Sequence, residues 1–393
     1  MFGIVGKERT NVYSKIYYGL FALQHRGQES AGIATSVSNA NNVSNNAGNG
    51  IKIVKDMGIV PEALRNKFIE GNTGIGHVRY STTGSSSIEN SQPIQIKCND
   101  EIFAIAHNGN IVNTIEIKQK LKGATFLTTT DSEVIANLIA HYYASNKNFL
   151  ECLKQAMKEI VGSYCLVILY QNKVIAIRDP NGFRPLVIGK NEEGEICVAS
   201  ETCALDAIGF SYLRDVEPGE IFVAEYVYEK ENDKISSSTY SVLKDKISHC
   251  MFEYVYFARA GEKELCTKLN PIKTEVEGKR IILIDDSIVR GTTIKRLIKI
   301  LRDKGAKEVH IRVSCPPIKF PCNFGIDMQT AKEFIARDKS AGEIVSLIGA
   351  DSLQYISIEG LFKAIGTKNL CDACLTGISP VSEKQMKLTD EIM

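Results

Sequence analysis

The stretch from Ile281 to Thr293 constrains the fold more than any other part of this chain. It reads Ile-Ile-Leu-Ile-Asp-Asp-Ser-Ile-Val-Arg-Gly-Thr-Thr. Four consecutive apolar residues are typical of a short buried strand in a parallel sheet that is covered on both faces. After Thr293, apolar side chains recur at helical spacing until Gly305, which predicts an amphipathic helix. The sequence therefore predicts a strand, a loop and a helix belonging to a parallel sheet.

The loop of this unit carries residues that suggest a binding function. A strand-to-helix loop gathers backbone N–H groups at the start of the helix, where a phosphate is favoured. Asp285 and Asp286, at the end of the strand, are suited to hold sugar hydroxyls or a Mg²⁺ ion through oxygen ligands. The alternative is an ordinary strand-to-helix junction in which two acidic residues are adjacent by chance.

Size and charge exclude several classes of protein. A chain of 393 residues is long enough for two domains with cores of their own. The formal net charge is +1, so charge gives no reason to expect nucleic acid or an anionic membrane as a partner. No apolar run is long enough to span a bilayer, and the N-terminus lacks a signal pattern. Eleven cysteines without a secretion signal indicate a reducing compartment, so we expect a cytoplasmic protein.

The first residues, Met1 to Gly6, predict a short apolar strand. Some enzymes use a Cys, Ser or Thr directly after the initiator Met as a nucleophile, with its own α-amino group as the base. Residue 2 of this chain is Phe2, whose ring cannot attack a substrate. We therefore expect no catalytic nucleophile at this position.

Three polar motifs between apolar segments are candidate parts of a binding site. Arg79 ends the run Gly-Ile-Gly-His-Val-Arg, where it would clamp a substrate carboxylate or pair with a structural acid. Asn108 and Gly109 follow an apolar strand and have the chemistry of an oxyanion hole, although Asn-Gly is also a strong hairpin signal. Asp131 begins a helix, where it would bind an ammonium group or cap the helix.

Taken together and in this order, these motifs resemble the class II glutamine amidotransferase domain, and residues 281–293 resemble the phosphoribosyl pyrophosphate (PRPP) site of type I phosphoribosyltransferases. This combination of a glutamine amidotransferase-like domain and a PRPP-like site resembles the amidophosphoribosyltransferase family over almost the whole chain. The resemblance implies an N-terminal αββα Ntn-hydrolase-like domain, residues 1–235, and a C-terminal domain, residues 236–393, with a type I phosphoribosyltransferase-like parallel sheet. The implied activity is synthesis of phosphoribosylamine from glutamine and PRPP in purine biosynthesis.

The resemblance also implies roles for individual residues. Arg79 would hold the α-carboxylate of glutamine and Asp131 its α-amino group, while Asn108 and Gly109 would form the oxyanion hole. Phe2 stands where the family has its catalytic Cys. The PRPP or nucleotide site would consist of Asp285, Asp286, Ser287, Arg290, Gly291, Thr292 and Thr293. Asp285 and Asp286 would also be the ligands of a Mg²⁺ ion.

A second departure from the family lies just before the PRPP strand. Only residues 260–280 separate Arg259 from Ile281. In the family a longer stretch lies here, with the first strands and helices of the domain, the pyrophosphate loop and the loop that closes over PRPP. A parallel crossover alone needs a dozen or more residues. We therefore expect a truncated sheet in the C-terminal domain.

Four cysteines resemble the ligands of the [4Fe–4S] cluster found in cluster-containing amidophosphoribosyltransferases: Cys250, Cys322, Cys371 and Cys374. The Cys371-x-x-Cys374 pair alone also suits a zinc knuckle or a redox pair. Four thiolates suit a cluster or tetrahedral zinc, and the resemblance favours the cluster. We expect the other seven to be mostly small buried hydrophobes: Cys98, Cys152, Cys165, Cys197, Cys203, Cys266 and Cys315.

Each half of the chain lacks something that its chemistry requires, so three functions remain open. The first is a catalytically degenerate homologue that keeps its ligand pockets and acts as a regulatory or partner subunit. The second is a working amidophosphoribosyltransferase that uses glutamine or ammonia. The third is a redox sensor built on the cluster. The expected ligands are glutamine and PRPP or a purine nucleotide, and the expected assembly is a homo-oligomer or a complex with another purine-pathway protein.

Overall fold

The chain forms two compact units in a computed structural model that describes residues 1–8, 10–37, 50–80, 86–99, 101–227, 234–243, 245–257, 273–328 and 330–381. The first unit comprises Met1–Ile247 together with the short segment Asn323–Gly325 and Val381. The second unit comprises Ser248–Cys322 and Ile326–Pro380.

Two antiparallel sheets form the centre of the first unit. Their strands are β1 Phe2–Val5, β2 Ser30–Ser36, β3 Lys52–Met57, β4 Thr73–Arg79, β5 Ile94–Cys98, β6 Glu101–Ile111, β7 Gly162–Tyr170, β8 Lys173–Arg178, β9 Val187–Lys190, β10 Ile196–Ala199, β11 Ser211–Asp215, β12 Glu220–Val227 and β13 Lys234–Ser241. One sheet has seven strands in the order β11-β9-β10-β1-β4-β2-β3, and the other has six in the order β13-β12-β8-β7-β6-β5.

Helices cover the outer faces of both sheets. They are α1 Tyr13–Ala22, α2 Val60–Ala63, α3 Thr114–Lys120, α4 Asp131–Ser145, α5 Phe149–Glu159 and α6 Cys203–Asp206. Side chains of β6 alternate between two cores, as the period of a strand requires. Phe103 and Ile105 pack against the helical core that includes α4 and α5. Ala104 and Ala106 face the core between the sheets, which also takes Val5 from β1. The first unit is therefore an αββα sandwich.

The first unit extends past the boundary that the sequence suggested between residues 235 and 236. Strand β13, Lys234–Ser241, pairs with β12 along its whole length and so completes the six-stranded sheet. The chain leaves this unit after Ile247.

A three-stranded parallel sheet forms the centre of the second unit. The strands of this unit are β14 His249–Cys250, β15 Arg280–Asp285, β16 Glu308–Val313, β17 Ser352–Tyr355 and β18 Leu370–Cys371. The sheet has the order β15-β16-β17, and β14 and β18 form a separate two-stranded parallel ladder. The helices are α7 Phe252–Val255, α8 Lys273–Val276, α9 Thr292–Asp303, α10 Ala341–Ile348, α11 Ile358–Ile365 and α12 Ala373–Thr376. The strand, loop and helix predicted for residues 281–305 are confirmed.

One expectation for this sheet was wrong: β15 is not buried on both faces. Ile282 and Ile284 are 64% and 73% exposed, whereas Ile281 and Leu283 pack against the core. Helices α9, α10 and α11 supply that core, together with alternate residues of β16. A strand is buried on both faces only where a second layer covers it. Among the described residues of this unit, a layer covers the Ile281 face alone.

Arg259 and Cys266, which the sequence analysis named, lie outside the described ranges. Within those ranges, no helix has the length and apolar character that crossing a membrane requires.

Candidate functional sites

Phe2 is part of the core of the first unit. It lies in β1, which pairs with β4 on one side and β10 on the other. The side chain is fully buried, in the cluster that contains Tyr13, Ile16 and Leu20 of α1. The ring of Phe2 therefore serves as packing between the sheet and α1.

The α-amino group of Met1 is buried beside Ser200. It donates a hydrogen bond to Ser200 Oγ at 3.0 Å. Burial, reinforced by the positive charge of Arg26, lowers the pKa of this amino group to about 5. The amine is therefore largely neutral at pH 7 and has the protonation state of a base. Ser200 is itself fully buried.

Asn108 and Gly109 lie inside β6, so the alternative of an Asn-Gly hairpin turn was wrong. The strand continues to Ile111, and the two residues pair with Cys165 and Tyr164 of β7. Gly109 has φ +147°, and a Cβ there would lie 2.1 Å from the carbonyl oxygen of Ser163. Only glycine fits at this position, because the neighbouring strand β7 approaches the backbone of residue 109 this closely.

Asp131 is the first residue of α4 and accepts a hydrogen bond from another element instead of capping its own helix. Its Oδ2 accepts from the Ile111 N–H at 3.1 Å, and Oδ1 lies 3.6 Å from His107 Nδ1. Burial favours the protonated form, but the His107 ring and the N–H groups of Ile111 and Ser132 outweigh burial and lower the pKa of Asp131. A buried carboxylate held ionised beside β6 suits the binding of an ammonium group.

Two histidines connect this carboxylate to the start of the chain. His77 Nε2 donates to the His107 carbonyl oxygen at 3.0 Å. Burial and the Met1 amino group hold the pKa of His77 well below its usual value. The amide of His107 donates to Gln92 Oε1 at 2.6 Å, and the Gln92 amide donates to Ser132 Oγ. Both histidines lie inside motifs visible in the sequence, but nothing in their spacing indicates that they meet.

Arg79 ends β4 and is 3% exposed. Its Nη1 donates to Glu29 Oε1 at 2.7 Å, so the pairing with an acid that the sequence left open does occur. Glu29 was not singled out from the sequence, although it directly precedes β2, whose Ser30 pairs with Arg79. The structure thus places Arg79 at the end of the β4 strand that carries His77.

A second acid–base cluster lies beside the N-terminus. Glu201 forms ion pairs with Arg26 and with His25, the latter at 2.9 Å. Burial favours protonation, but His25 and Arg26 outweigh it and lower the pKa of Glu201 to about 2. The stretch that contains His25 and Arg26 is therefore tied to the end of β10 and is not a freely solvated surface loop.

The predicted PRPP residues come together in one loop between β15 and α9. The Asp286 N–H donates to Asp285 Oδ1 at 3.0 Å, at the carboxyl end of β15. Gly291 is the N-cap of α9, with φ +76° in the left-handed region. The helix has no side-chain cap and no acidic residue in its first turn. This arrangement suits a phosphate at the N-terminus of a twelve-residue helix.

Arg290 points toward a different element of the same unit. Its Nε donates to Glu333 Oε2 at 2.8 Å, although both side chains are exposed. The Ile335 N–H donates to the carbonyl oxygen of Val289. The segment 333–335 therefore contacts residues 289 and 290 of the loop between β15 and α9. The sequence does not indicate these contacts.

Three of the four candidate cluster ligands are buried in the second unit, and Cys322 is half-buried. Cys250 pairs directly with Cys371 in the β14–β18 ladder. Cys374 lies in α12, and its carbonyl oxygen accepts from the N–H groups of Lys319 and Phe320. Burial raises the pKa of Cys374, and the nearby thiols of Cys322, Cys250 and Cys371 raise it further. Among the described residues, no group of three or more His, Cys, Asp or Glu side chains is placed so that it could hold a metal ion.

The remaining described cysteines fit the expectation for small apolar residues. Cys98, Cys152, Cys165, Cys197 and Cys315 are buried, whereas Cys203 is only half-buried. Burial raises the pKa of the Cys315 thiol to about 12, with a further contribution from Asp286.

Comparison with known proteins agrees with this two-part architecture. Residues 77–207 match the glutamine amidotransferase domain, and residues 232–321 match the phosphoribosyl transferase domain. The amidophosphoribosyltransferase of Methanocaldococcus jannaschii is 40% identical, with 97% of each chain covered. This chain belongs to the amidophosphoribosyltransferase family. The Methanothermobacter thermautotrophicus relative is 41% identical over 96% of this chain and 94% of its own.

A solved structure supports the membership. Glutamine PRPP amidotransferase from Bacillus subtilis, complexed with ADP and GMP, matches with a TM-score of 0.82 and 34% identity. The match covers 97% of each chain. The αββα domain and the parallel sheet expected from the sequence are thus shown for this family member.

The chain is nevertheless shorter than its relatives in the amidophosphoribosyltransferase family. The Methanocaldococcus jannaschii alignment spans 468 positions, 75 more than the 393 residues of this chain, so the relative has at least that many positions without a counterpart here. This difference agrees with the missing stretch inferred before the PRPP strand.

Proposed function

We propose that this member of the family acts in purine metabolism by binding PRPP or a purine nucleotide, and that it does not hydrolyse glutamine. The observation that carries the proposal is Phe2, fully buried at the position where the family has its catalytic Cys. Removing a nucleophile typically costs several orders of magnitude in rate. A neutral Met1 amine remains as a potential base, but residue 2 offers no thiol or hydroxyl for it to activate.

The loop between β15 and α9 supports the ligand-binding half of the proposal. N–H groups of the first turn of α9, which has no side-chain cap, would donate hydrogen bonds to a 5′-phosphate, and the carboxylates of Asp285 and Asp286 would hold ribose hydroxyls or Mg²⁺. The Bacillus subtilis relative was solved with ADP and GMP bound. A purine nucleotide is therefore the first ligand to test.

The first unit keeps the chemistry of a glutamine pocket although it lacks the nucleophile. The support is the lowered pKa of Asp131, which keeps its carboxylate ionised, and the buried Arg79 at the end of β4. Glutamine bound there would report to a partner or to the second unit without being consumed. The chain would then act as a regulatory subunit. For this, glutamine would have to bind one conformation more tightly than another, since a ligand shifts a conformational equilibrium only through differential affinity.

We further propose that Cys250, Cys322, Cys371 and Cys374 hold a [4Fe–4S] cluster. The support is their common location in the second unit and the direct pairing of Cys250 with Cys371. A bound cluster would supply a covalent tie between these elements and a redox centre. The cysteines would bind it as thiolates after their side chains rearrange, since the described residues contain no group of three ligands placed to hold a metal ion. Zinc is the alternative that the same four donors allow.

A working amidophosphoribosyltransferase is the second candidate function. The relatives named as this enzyme cover 94–97% of their own length at 40–41% identity, and taken alone these comparisons favour activity over degeneracy. With Phe2 in place, the nitrogen source would be ammonia. The transfer reaction would then have to proceed without the residues that the relatives have and this chain lacks.

One pair of measurements tests these functions. Pyrophosphate release from PRPP is followed with glutamine and, separately, with ammonium, and binding of AMP, GMP and PRPP is followed by calorimetry. We expect saturable binding and no glutamine-dependent release. Ammonia-dependent release that disappears in an Asp285→Ala, Asp286→Ala variant would establish the working transferase.

The control is Asp303→Ala, which removes an exposed acid at the far end of α9. Its binding should match that of the unmodified chain. If neither nucleotide nor PRPP saturates the protein at about 1 mM, a weak but measurable affinity, the ligand-binding proposal fails. Glutamine hydrolysis that responds to Asp131→Asn would overturn the loss of glutaminase activity.

A further inference from the structure

His107 lies where β6 loses its neighbour β5. The ladder between these two strands ends at the pair of Ile94 with Ile105. At residue 107, side chains supply the hydrogen bonds that a strand would otherwise supply. The His107 N–H donates to Gln92 Oε1 at 2.6 Å, and the His107 carbonyl oxygen accepts from His77 Nε2 at 3.0 Å. Both polar groups of this backbone unit are therefore held in place.

The ring of His107 contacts the first turn of α4. Its Nδ1 lies 3.1 Å from Ser132 Oγ and 3.6 Å from Asp131 Oδ1. Gln92 Nε2 donates to the same Ser132 Oγ at 3.1 Å, so the backbone and the ring of His107 belong to one cycle of hydrogen bonds. The residue is 3% exposed. Buried polar groups that are joined in this way hold one another in a single arrangement.

The surroundings of the two ring nitrogens indicate which of them carries the proton. Nε2 has no hydrogen-bond partner among the described residues, whereas Nδ1 lies beside the Ser132 hydroxyl and the Asp131 carboxylate. A proton on Nε2 would be a buried donor without an acceptor, and it would leave a bare Nδ1 lone pair opposite a carboxylate. The neutral ring of His107 therefore favours the tautomer in which Nδ1 donates toward α4.

The Asp131 carboxylate is held from both sides of Asn108–Gly109. Oδ1 lies beside the His107 ring, and Oδ2 accepts from the Ile111 N–H at 3.1 Å. Residues 107 and 111 flank Asn108–Gly109 in β6. Burial raises the pKa of Asp131, but His107 and backbone N–H groups outweigh burial and lower it. The position and the charge of this carboxylate thus depend on His107.

We propose that His107 is a positioning residue, which holds Asp131 where the carboxylate receives the α-amino group of glutamine. This role rests on the glutamine pocket proposed above and adds a determinant of its specificity. An ionised carboxylate binds an ammonium group through a charge-assisted hydrogen bond, which requires that both groups are well placed. His107 therefore sets the preference of the pocket for a ligand with an α-amino group over a ligand without one.

Two variants of matched shape test this role. Asparagine and leucine have side chains of similar size, but only asparagine has an N–H that can replace the one at Nδ1. Calorimetry with the full chain compares glutamine with 4-carbamoylbutanoate, which is glutamine without its α-amino group. The unmodified chain should prefer glutamine. His107→Leu should reduce this preference by about tenfold, because a hydrogen bond to a charged group is lost, whereas His107→Asn should keep most of it.

The pair of variants separates positioning from general packing. Both leave a similar cavity beside α4, so a purely structural role would weaken the binding of both ligands alike and would affect both variants equally. Equal preference for glutamine in His107→Leu and His107→Asn would overturn the role of His107. Failure of the unmodified chain to bind either ligand would instead refute the glutamine pocket itself.

NMR of the imidazole nitrogens in the unligated protein tests the donor independently of glutamine. The His107 signals are assigned as those that are missing from the spectrum of His107→Asn. We expect a proton on Nδ1. An unprotonated Nδ1 would overturn the proposal even if glutamine binds, because the ring could then donate no hydrogen bond to Asp131.

Discussion

The ring of Phe2 occupies the space that a side chain at residue 19 would need. A Cβ at Gly19 would lie 2.8 Å from Phe2 Cδ2 and 2.9 Å from Cε2. Gly19 is a buried residue inside α1, so the missing side chain is what allows the helix to approach β1 this closely. The aromatic ring of Phe2 and a glycine seventeen residues later therefore form one packing unit.

This contact reverses the usual effect of replacing glycine in a helix. Gly-to-Ala inside a helix typically stabilises by roughly 1 kcal/mol, but Gly19→Ala should destabilise by about 1–3 kcal/mol because it overpacks the core. Phe2→Ala should cost about 3–5 kcal/mol by opening a cavity. In a chain that already carries Phe2→Ala, Gly19→Ala should then lower the free energy of unfolding only slightly or raise it. Urea unfolding of the four proteins gives the coupling free energy.

Gly342 provides the control for this cycle. It lies in α10, and a Cβ there would meet no atom within 4 Å. Gly342→Ala should therefore stabilise its helix. Additive effects of Gly19→Ala and Phe2→Ala would show that the Phe2 ring and a side chain at residue 19 do not compete for the same space, and would refute the packing unit.

Glu201 should make the stability of the first unit depend on acid pH. Its folded-state pKa is about 2, below the ordinary value of 4.5, so it favours the folded state above pH 4.5 and progressively loses this effect as the pH falls toward 2. The shift corresponds to about 3 kcal/mol at most. Glu201→Gln should lower the free energy of unfolding at pH 7 and flatten its decline below pH 4.5.

Denaturant unfolding at several pH values between 7 and 3 measures this dependence. Glu116→Gln, which changes an exposed acid of α3, should keep the slope of the unmodified protein. An unchanged slope in Glu201→Gln would mean that the ion pairs with His25 and Arg26 do not set the acid response.

Gly291 should matter for ligand binding as well as for stability. Its left-handed φ of +76° strains any residue with a side chain, and a Cβ there would lie 2.8 Å from Ile335 Cδ1. Gly291→Ala should cost about 1–2 kcal/mol of stability and displace the N–H groups at the start of α9. We expect at least tenfold weaker binding of the nucleotide that binds in calorimetry.

A matched glycine separates backbone strain from ligand recognition. Gly349 ends α10 with φ +79° and open space around its Cα. Gly349→Ala should show a similar loss of stability and unchanged nucleotide affinity. Equal weakening of binding in both variants would show that general destabilisation, and not the phosphate loop, controls affinity.

The four-cysteine set should determine the metal content of the protein. Anaerobically purified protein is expected to contain iron and acid-labile sulfide and to be brown. Cys374→Ser should lose most of the iron, whereas Cys152→Ser should keep it, because Cys152 is a buried residue of the first unit whose thiol contacts the Asn146 carbonyl oxygen. Stoichiometric zinc without iron would decide for the zinc alternative, and the absence of both metals would refute a metal role.

Sequence alone was sufficient for features that depend on local pattern. The run of four apolar residues, the acidic pair and the helical spacing of apolar residues after Thr293 define β15, its loop and α9, because strand and helix periodicities are local properties. The order of the motifs was also enough to identify the family, since Arg79, Asn108, Asp131 and Asp285 appear in the sequence as a series. The prediction that residue 2 supplies no nucleophile required only its identity as Phe2.

The tertiary structure decided which of these local features meet, and what covers them. Asn108–Gly109 is strand and not hairpin because β7 pairs with it across more than fifty residues of sequence. His77 and His107 join the Asp131 site through contacts between separate elements, which no local pattern encodes. The exposure of Ile282 and Ile284 follows from the layers around β15, because burial of a strand depends on its neighbours and not on its own apolar sequence.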